Sequence, residues 1–221
     1  MYKNLNTRTD SYKHQGQRHQ LILKLTSSGI TDKKVLDAIG KVPRHLFMSK
    51  DFEDRAYEDI ALPIDEGQTI SQPYTVAFQT QWLQIKSGDK ILEIGTGSGY
   101  QAAVLSEMGA MVFSVERIEK LHLQSKIILG KLYPNVNLFL SDGSIGLAEM
   151  APFDKIIVTA AAPKISSTLL SQLNAGGRAI MPIGERNIQK MILIEKSVDN
   201  TIQQKQLGDF KFVPLIGIDG W

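Results

Sequence analysis

The stretch LEIGTGSGYQ, Leu92 to Gln101, reads as a strand end, a glycine turn and a helix start in succession. KILEIG is a short apolar run closing in glycine, the mark of a buried strand, and SGYQAAVLSEMG has helical spacing. Gly95, Gly97 and Gly99 allow positive φ and close approach of a ligand to the backbone. The helix start presents free N–H groups. In open α/β sheets, ligands bind outside the carboxyl ends of the strands at such a turn.

The spacing narrows the ligand. It is GxGxG, with Tyr100 in the slot where the dinucleotide fingerprint GxGxxG has its third glycine, and no lysine follows as a phosphate loop requires. A pyrophosphate would be repelled by Glu93, two residues ahead of Gly95, whereas a cationic amino group would be welcome there. This disfavours a dehydrogenase. Taken alone, the glycines also fit ordinary structural use.

Outward from that turn, strands and helices alternate. AMVFSVE reads as a strand, RIEKLHLQSKIILGKLY as a helix, and VNLFLSD and FDKIIVTAA as strands. KISSTLLSQLN reads as a helix closed by Ala175-Gly176-Gly177, and GRAIMPIG, QKMILIEKS and TIQQKQL as further strands. The alternation predicts a mostly parallel sheet covered on both faces, with antiparallel edge strands at the strand-rich end. Upstream, RHQLILKLTSS (18–28) and ITDKKVLDAIGKVP read as helices. Thr31 is the candidate cap of the second, and Gly40 and Pro43 its stop. PYTVAFQTQWL, from Pro73 to Leu83, reads as a helix with proline in its first turn.

Two further acids fall in step with the glycine turn. Glu116 ends the next strand and Asp142 the one after, followed by Gly143. A single acid there is usually a helix cap. Three successive strand ends suit a ligand with a cationic end, a ribose diol and an amino-bearing base. S-adenosylmethionine has all three.

The segment GQTISQPY, Gly67 to Tyr74, concentrates hydroxyls and amides without charge just ahead of the Pro73 helix. Ser71 is not in a GxSxG setting and no histidine triad is evident, so it does not read as a nucleophile. Hydroxyls and amides can hold a substrate carboxylate without neutralising it. Alternatively, Thr69 or Ser71 caps the helix, and spacing does not choose between the two.

Composition bounds the rest. The chain has 221 residues, 43% hydrophobic and 22% charged, with a net charge of +2, which fits one globular domain and no nucleic-acid stripe. With no cysteine there is no disulfide, thiolate metal site or cysteine nucleophile. The polar first twenty residues hold no apolar leader, and no run is long enough for a membrane span, so a cytoplasmic protein is expected. His14 and His19 read as part of a polar, frayed terminus, His45 as a packing or surface residue, and Phe78 and Trp82 as core.

Beyond these readings, the chain resembles the protein-L-isoaspartate O-methyltransferases over nearly its whole length. The resemblance is carried by VPRHLF (42–47), ALPI (61–64), GQTISQPYTVA (67–77), LEIGTGSGYQAAVL (92–105), VERI (115–118), DGSIGLAEMAPFDKIIVTAA (142–161), LNAGGRAIMPIG (173–184) and FVPLIG (212–217). It implies a single α/β domain of the Rossmann-like S-adenosylmethionine-dependent methyltransferase class. That fold has a mostly parallel seven-stranded sheet, helices on both faces and added N-terminal helices. Residues 1–85 would form the helical and substrate-facing segment, 86–185 the cofactor core and 186–221 the last strands and groove segment.

The resemblance makes Ser71 the active-site residue. It implies that Glu93, Gly95, Thr96, Gly97, Ser98 and Gly99 hold the methionine end of the cofactor, Glu116 and Arg117 the ribose, and Asp142 and Gly143 the adenine. Pro73, Tyr74 and Thr75 would touch the cofactor as well. Thr69, Ile70, Gln72, Val213, Pro214 and Leu215 would line the substrate groove. The implied substrates are isoaspartyl proteins and peptides, with S-adenosyl-L-methionine as donor and no metal, nucleic acid or membrane partner; a monomer is expected. Asp65 and Glu66, before Gly67, depart from the pattern and are expected to weaken binding of acidic peptides. The chain stops six residues after Leu215, which puts cofactor contacts from the tail in doubt.

Other classes fit less well. A cytosine C5 methyltransferase needs a cysteine. A base-amino methyltransferase carries an Asp/Asn-Pro-Pro-aromatic motif where this chain reads VTAAAP. A non-catalytic cofactor-binding module would have no reason to keep GQTISQP.

Overall fold

The computed structural model describes residues 8–221; the first seven residues of the polar leader lie outside it. Among the described residues three α-helices precede the glycine turn: α1 (Tyr12–Ser27), α2 (Lys33–Lys41) and α3 (Pro73–Leu83). Between α2 and α3 a two-stranded hairpin, β1 (Leu62–Pro63) and β2 (Thr69–Ile70), brackets the residues leading to Ser71. Then follow β3 (Lys90–Ile94), α4 (Tyr100–Glu107), β4 (Met111–Glu116), α5 (Glu119–Leu132), β5 (Asn137–Leu140), β6 (Phe153–Val158), α6 (Ser167–Ser171), β7 (Leu173–Gly184), β8 (Gln189–Lys196) and β9 (Ile202–Phe210).

Among the described residues the main sheet has seven strands in the order β5-β4-β3-β6-β7-β8-β9. The first five are parallel, and β7, β8 and β9 pair antiparallel, as the strand-rich end predicts. The order reverses between β4 and β6 around β3, so the crevice expected for a ligand opens at the carboxyl end of β3.

Strand alternation places neighbouring residues in different cores. Ile91 and Ile157 join the larger apolar cluster with Leu25, Ile39, Tyr100 and Leu129 of the helices. Leu92 and Ile156 join a smaller one with Leu169, Leu173 and Leu215. Both faces are buried, but unequally. Helices α1 to α5 contribute to the larger core, whereas α6, short turns and the chain's C-terminal segment cover the other.

Several local expectations are corrected. α1 begins at Tyr12, not at residue 18, because Ser11 caps it: Ser11 Oγ accepts from His14 N and His14 Nδ1 accepts from Ser11 N. His14 is therefore buried rather than frayed, and its ring stacks on His45 at 3.9 Å. The α2 cap is Asp32, which accepts from Lys34 N and Val35 N, and not Thr31. Gly40 lies inside α2. α6 is a single short helix, and β7 already begins at Leu173. At Gly177 a Cβ would meet Asn174 O at 2.8 Å and Asp154 O at 2.9 Å, so that glycine lets strands pass closely instead of stopping a helix.

Near α1, ligating atoms of Asp10, His14 and His45 lie within 4.8 Å of one another. They already serve one another and their neighbours. Arg18 donates to both Asp10 oxygens, and Tyr57 OH accepts from Arg18 and lies 2.8 Å from His45 Nδ1. Burial and then His14 push the His45 imidazole down to about 4, so the ring is neutral at ordinary pH.

Candidate active site

The glycine turn is shaped by its own surroundings. Gly95 has φ 97°, and a Cβ there would stand 2.6 Å from Thr159 Oγ1. Thr159 sits just beyond β6 and donates to Ile94 O at 2.9 Å and Gly95 O at 2.7 Å, tying the ends of β3 and β6 together. Gly97 N donates to Glu116 Oε2 at 2.8 Å, and Ile118 N to Glu116 Oε1 at 2.9 Å. One carboxylate thus sets both the turn and the exit from β4.

A cleft opens above these residues. It is lined by Gly95, Thr96, Gly97 and Ser98 of the turn, by Glu116 and Arg117 after β4, and by Gly143. The opposite wall is Thr69, Ile70 and Ser71 of the hairpin with Val213, Pro214 and Leu215. A second, more open cavity adjoins it, lined by Gln72, Tyr74, Thr75, Phe78, Phe210, Lys211 and Val213 among others. Thr69, Ser71, Thr159 and Val213 line both. The FVPLIG segment reaches this boundary because Ala161 N donates to Val213 O at 2.8 Å and Leu215 N to Ala161 O at 2.7 Å, alongside the end of β6.

Ser71 therefore stands where two cavities meet. It does not cap α3. That N-cap is Gln72, without a side-chain cap bond, and Asp59 Oδ1 accepts from Tyr74 N at 2.8 Å instead. Among the described residues the Ser71 hydroxyl has no hydrogen-bond partner. The choice left open by spacing is decided against capping.

Some expected site residues stand elsewhere. Glu93 is fully buried and lines neither cavity. Alternation along β3 puts Glu93 on the opposite face of the sheet from Ile94, which lines the cleft, and beside its register partner Ser114 of β4. Ser114 Oγ donates to Glu93 Oε2 at 2.5 Å, and Thr96 Oγ1 lies 2.6 Å from Ser114 Oγ. Glu93 reaches the cleft only through this relay of hydroxyls. Its carboxyl is pushed up to about 8 by burial, helped by the charge of Glu116 and opposed by the Ser114 bond. Gly99 also lines neither cavity; a Cβ there would meet Leu129 Cδ1 at 2.9 Å, so this glycine lets α4 pack on α5.

Asp142 lies behind the cleft wall rather than on it. It accepts from Ser144 N, Ser144 Oγ and Ile218 N. Burial works to raise its pKa, but these bonds prevail and hold it below the usual carboxylate value. Tyr74 and Thr75 face the second cavity, and Pro73 faces neither. Asp65 and Glu66 line neither cavity. Asp65 accepts from Gln124 at 2.6 Å, and Lys120 pairs with Glu66 at 2.9 Å and with Asp65 at 3.6 Å. They fasten the hairpin turn to α5.

The sequence reading missed other participants. Thr159 bridges both cavities, although VTAA marked a strand end as plainly as the others did. Phe78, read as core, lines the second cavity and packs on Phe210 at 5.0 Å, with Tyr74 beside both. Ile216 lines the cleft, and the tail beyond it is bonded down by Ile218 N to Asp142, Asp219 N to Ser144, and Trp221 Nε1 to Ala161 O at 3.2 Å. The last residues thus brace the elements behind the cleft wall.

Known proteins share this arrangement. Residues 16–219 match the family model of protein-L-isoaspartate(D-aspartate) O-methyltransferase. Protein-L-isoaspartate O-methyltransferases of Flavobacterium psychrophilum and Christiangramia forsetii are 54% and 52% identical to the chain; each match covers 94% of it and 97% of the relative. A solved protein-L-isoaspartate O-methyltransferase superposes with TM-score 0.83 at 32% identity, over 92% of this chain and 67% of that one. A Plasmodium falciparum protein described as a protein-L-isoaspartate O-methyltransferase, in complex with S-adenosyl-L-homocysteine, superposes with TM-score 0.78 at 25% identity, over 90% of this chain and 98% of that one.

Proposed function

We infer the reaction from one premise: the chain belongs to the protein-L-isoaspartate(D-aspartate) O-methyltransferase family. It transfers a methyl group from S-adenosyl-L-methionine to the free α-carboxylate of L-isoaspartyl residues in damaged proteins and peptides. The ester then cyclises to a succinimide with loss of methanol, and hydrolysis of that ring returns some of the damaged residues to L-aspartyl. The observation that carries the reading is Ser71, with its hydroxyl uncommitted, on the boundary shared by the two cavities.

The cleft suits the donor. A Cβ added to Gly97 would find only Ile64 Cδ1, at 3.8 Å, so backbone lies bare to the cleft there. Glu116 and the polar turn offer acceptors and donors for a ribose and an amino acid end, with Ile118 and Leu121 as apolar lining. When bound, the donor supplies an electrophilic sulfonium methyl. In this reading Gly95 to Ser98 hold its amino acid end, Glu116 and Arg117 the ribose, and Gly143 the adenine side, with Asp142 fixing the wall behind. Glu93 orders the turn through Ser114 and Thr96 rather than touching the ligand.

The protein's own chemistry is modest. The substrate α-carboxylate, with a pKa of about 3.5, is ionised at neutral pH and needs no general base. Ser71 orients the carboxylate oxygen toward the first cleft by donating its hydroxyl hydrogen. Thr69, Ile70, Gln72 and the Val213 to Leu215 segment shape the passage and exclude water. Alignment of this kind is worth several kcal/mol of barrier. The enzyme is read as a cytoplasmic monomer acting on protein substrates and not on nucleic acid, in keeping with a net charge of only +2. Among the described residues no helix is long and apolar enough to cross a membrane.

Two synthetic peptides of one sequence, differing only in L-isoaspartyl or L-aspartyl linkage, test the reading. With methyl-labelled donor, base-labile esters form on the isoaspartyl peptide alone. Equal labelling of both, or of neither, overturns it.

A further inference from the structure

Ser71 sits in a turn with little internal support, so something outside the turn must fix it. That support converges on one side chain. Asp59 Oδ1 accepts from Tyr74 N at 2.8 Å, and Asp59 Oδ2 accepts from Gln72 Nε2 at 3.2 Å. The same Gln72 amide donates to Asp59 O at 3.1 Å. Ser71 is next to Gln72 and three residues before Tyr74, so Asp59 grips the chain just past it and at the first turn of α3.

Behind Asp59 lies a second layer. Arg44 is fully buried, and its Nη2 donates to Ile60 O at 3.2 Å, one residue past Asp59. Its guanidinium stands over the Tyr100 ring at 5.1 Å, and Tyr100 is among the residues that line the donor cleft. Arg44 Nε and Nη1 have no hydrogen-bond partner, so the guanidinium depends on its surroundings for charge balance. Burial pushes the Arg44 guanidinium down to about 10, and the charge of Asp59 is among those that oppose this.

We propose that Asp59 is the positioning residue of the methyl-transfer site, setting where the Ser71 hydroxyl stands through Gln72 and the first turn of α3. The inference rests on the reaction given above. It also revises Gln72: its amide N–H groups serve Asp59, so Gln72 contributes to substrate binding by holding the groove's edge. Asp59 itself lines neither cavity.

The grip has a chemical requirement. Both Asp59 oxygens accept, one from a backbone N–H and one from a side-chain amide. Asparagine supplies one acceptor and one donor, so in Asp59→Asn either Tyr74 N loses its acceptor or the Gln72 amide must turn over and give up its bond to the backbone carbonyl of residue 59. A small displacement of a positioned group has a large kinetic cost, so a loss of about tenfold or more in kcat is expected.

The test is a cycle of Asp59→Asn, Ser71→Ala and the double variant, each assayed for kcat and KM on the isoaspartyl peptide and for S-adenosyl-L-homocysteine affinity by calorimetry. Asp59→Asn lowers kcat by about tenfold while donor affinity stays within about twofold, and in the Ser71→Ala background it adds less than about twofold, because both act through one group. Gln72→Ala, which removes only the side-chain half of the grip, gives a smaller kcat loss with the same split. Unchanged kcat in Asp59→Asn, losses that multiply in the double variant, or donor affinity falling in step with kcat would each overturn the proposal. A wild-type protein that methylates neither peptide overturns the reaction itself, so the two failures are separable.

Discussion

The glycine turn after β3 and the hairpin leading to Ser71 face each other across one cleft, and they are held differently. The turn is fixed from within and beneath: Thr159 on Ile94 and Gly95, Glu116 on Gly97, and the Thr96–Ser114–Glu93 relay. Its supports are strand ends that the sheet register already brings together. The hairpin has one short ladder of its own and otherwise hangs on outside contacts, with Asp59 at its far end and Lys120 and Gln124 of α5 at its turn. A wall built into a buried sheet is rigid by packing. A wall built from a strap is set by a few polar contacts, each of which can be removed singly.

That contrast can be broken first at the turn. Gly95 combines φ 97° with the 2.6 Å approach of Thr159 Oγ1, so Gly95→Val must distort the turn. Affinity for S-adenosyl-L-homocysteine is expected to fall about a hundredfold, near 3 kcal/mol, by calorimetry on protein whose circular dichroism remains folded.

Glu93 sharpens the comparison through pH. Its folded carboxyl titrates near 8 against an ordinary value of 4.5, so between those values the folded protein holds a proton that the unfolded chain releases. The stability this contributes is full below 4.5 and drains away as pH rises toward 8. Glu93→Gln removes the dependence. The Tm of the variant relative to wild type is therefore higher at about pH 8 than at about pH 5. A constant Tm difference across that range would mean that Glu93 is ionised when folded.

The smallest effect belongs to the strap's outer fastening. Lys120 is half-exposed where it meets Asp65 and Glu66, and solvent and salt screen such pairs. Lys120→Ala is expected to raise KM for the peptide by less than about threefold, and the difference should shrink in high salt. A large, salt-independent change would mean that the strap is held mainly by this contact.

Much of this architecture is legible in the amino-acid sequence. The glycine turn, the strand alternation, the antiparallel end and the α3 bounds follow from local pattern, because buried strands and proline-started helices carry their signals in adjacent residues. Glu93 shows where such reading stops. An acid beside a glycine turn looks like a ligand group, and only strand alternation and the register with Ser114 reveal that it faces away from the cleft. Asp59 and Thr159 show the same limit from the other side. Asp59 has its partners 13 and 15 residues away and Thr159 has its own 64 and 65 away, so the sequence marks a strand end at Thr159 but gives no reason to join either residue to its partners. Asp65 and Glu66 look like unpaired acids in the sequence because their partners on α5 lie 59 and 54 residues further along the chain.

The most direct test of the account is the single-turnover rate of Ser71→Ala on the isoaspartyl peptide with donor saturating, beside its affinity for S-adenosyl-L-homocysteine. Loss of one hydroxyl that orients the reacting carboxylate should slow transfer by about a hundredfold while leaving donor affinity unchanged. A wild-type rate in that variant would contradict the claim that Ser71, at the junction of the two cavities, aligns the reaction.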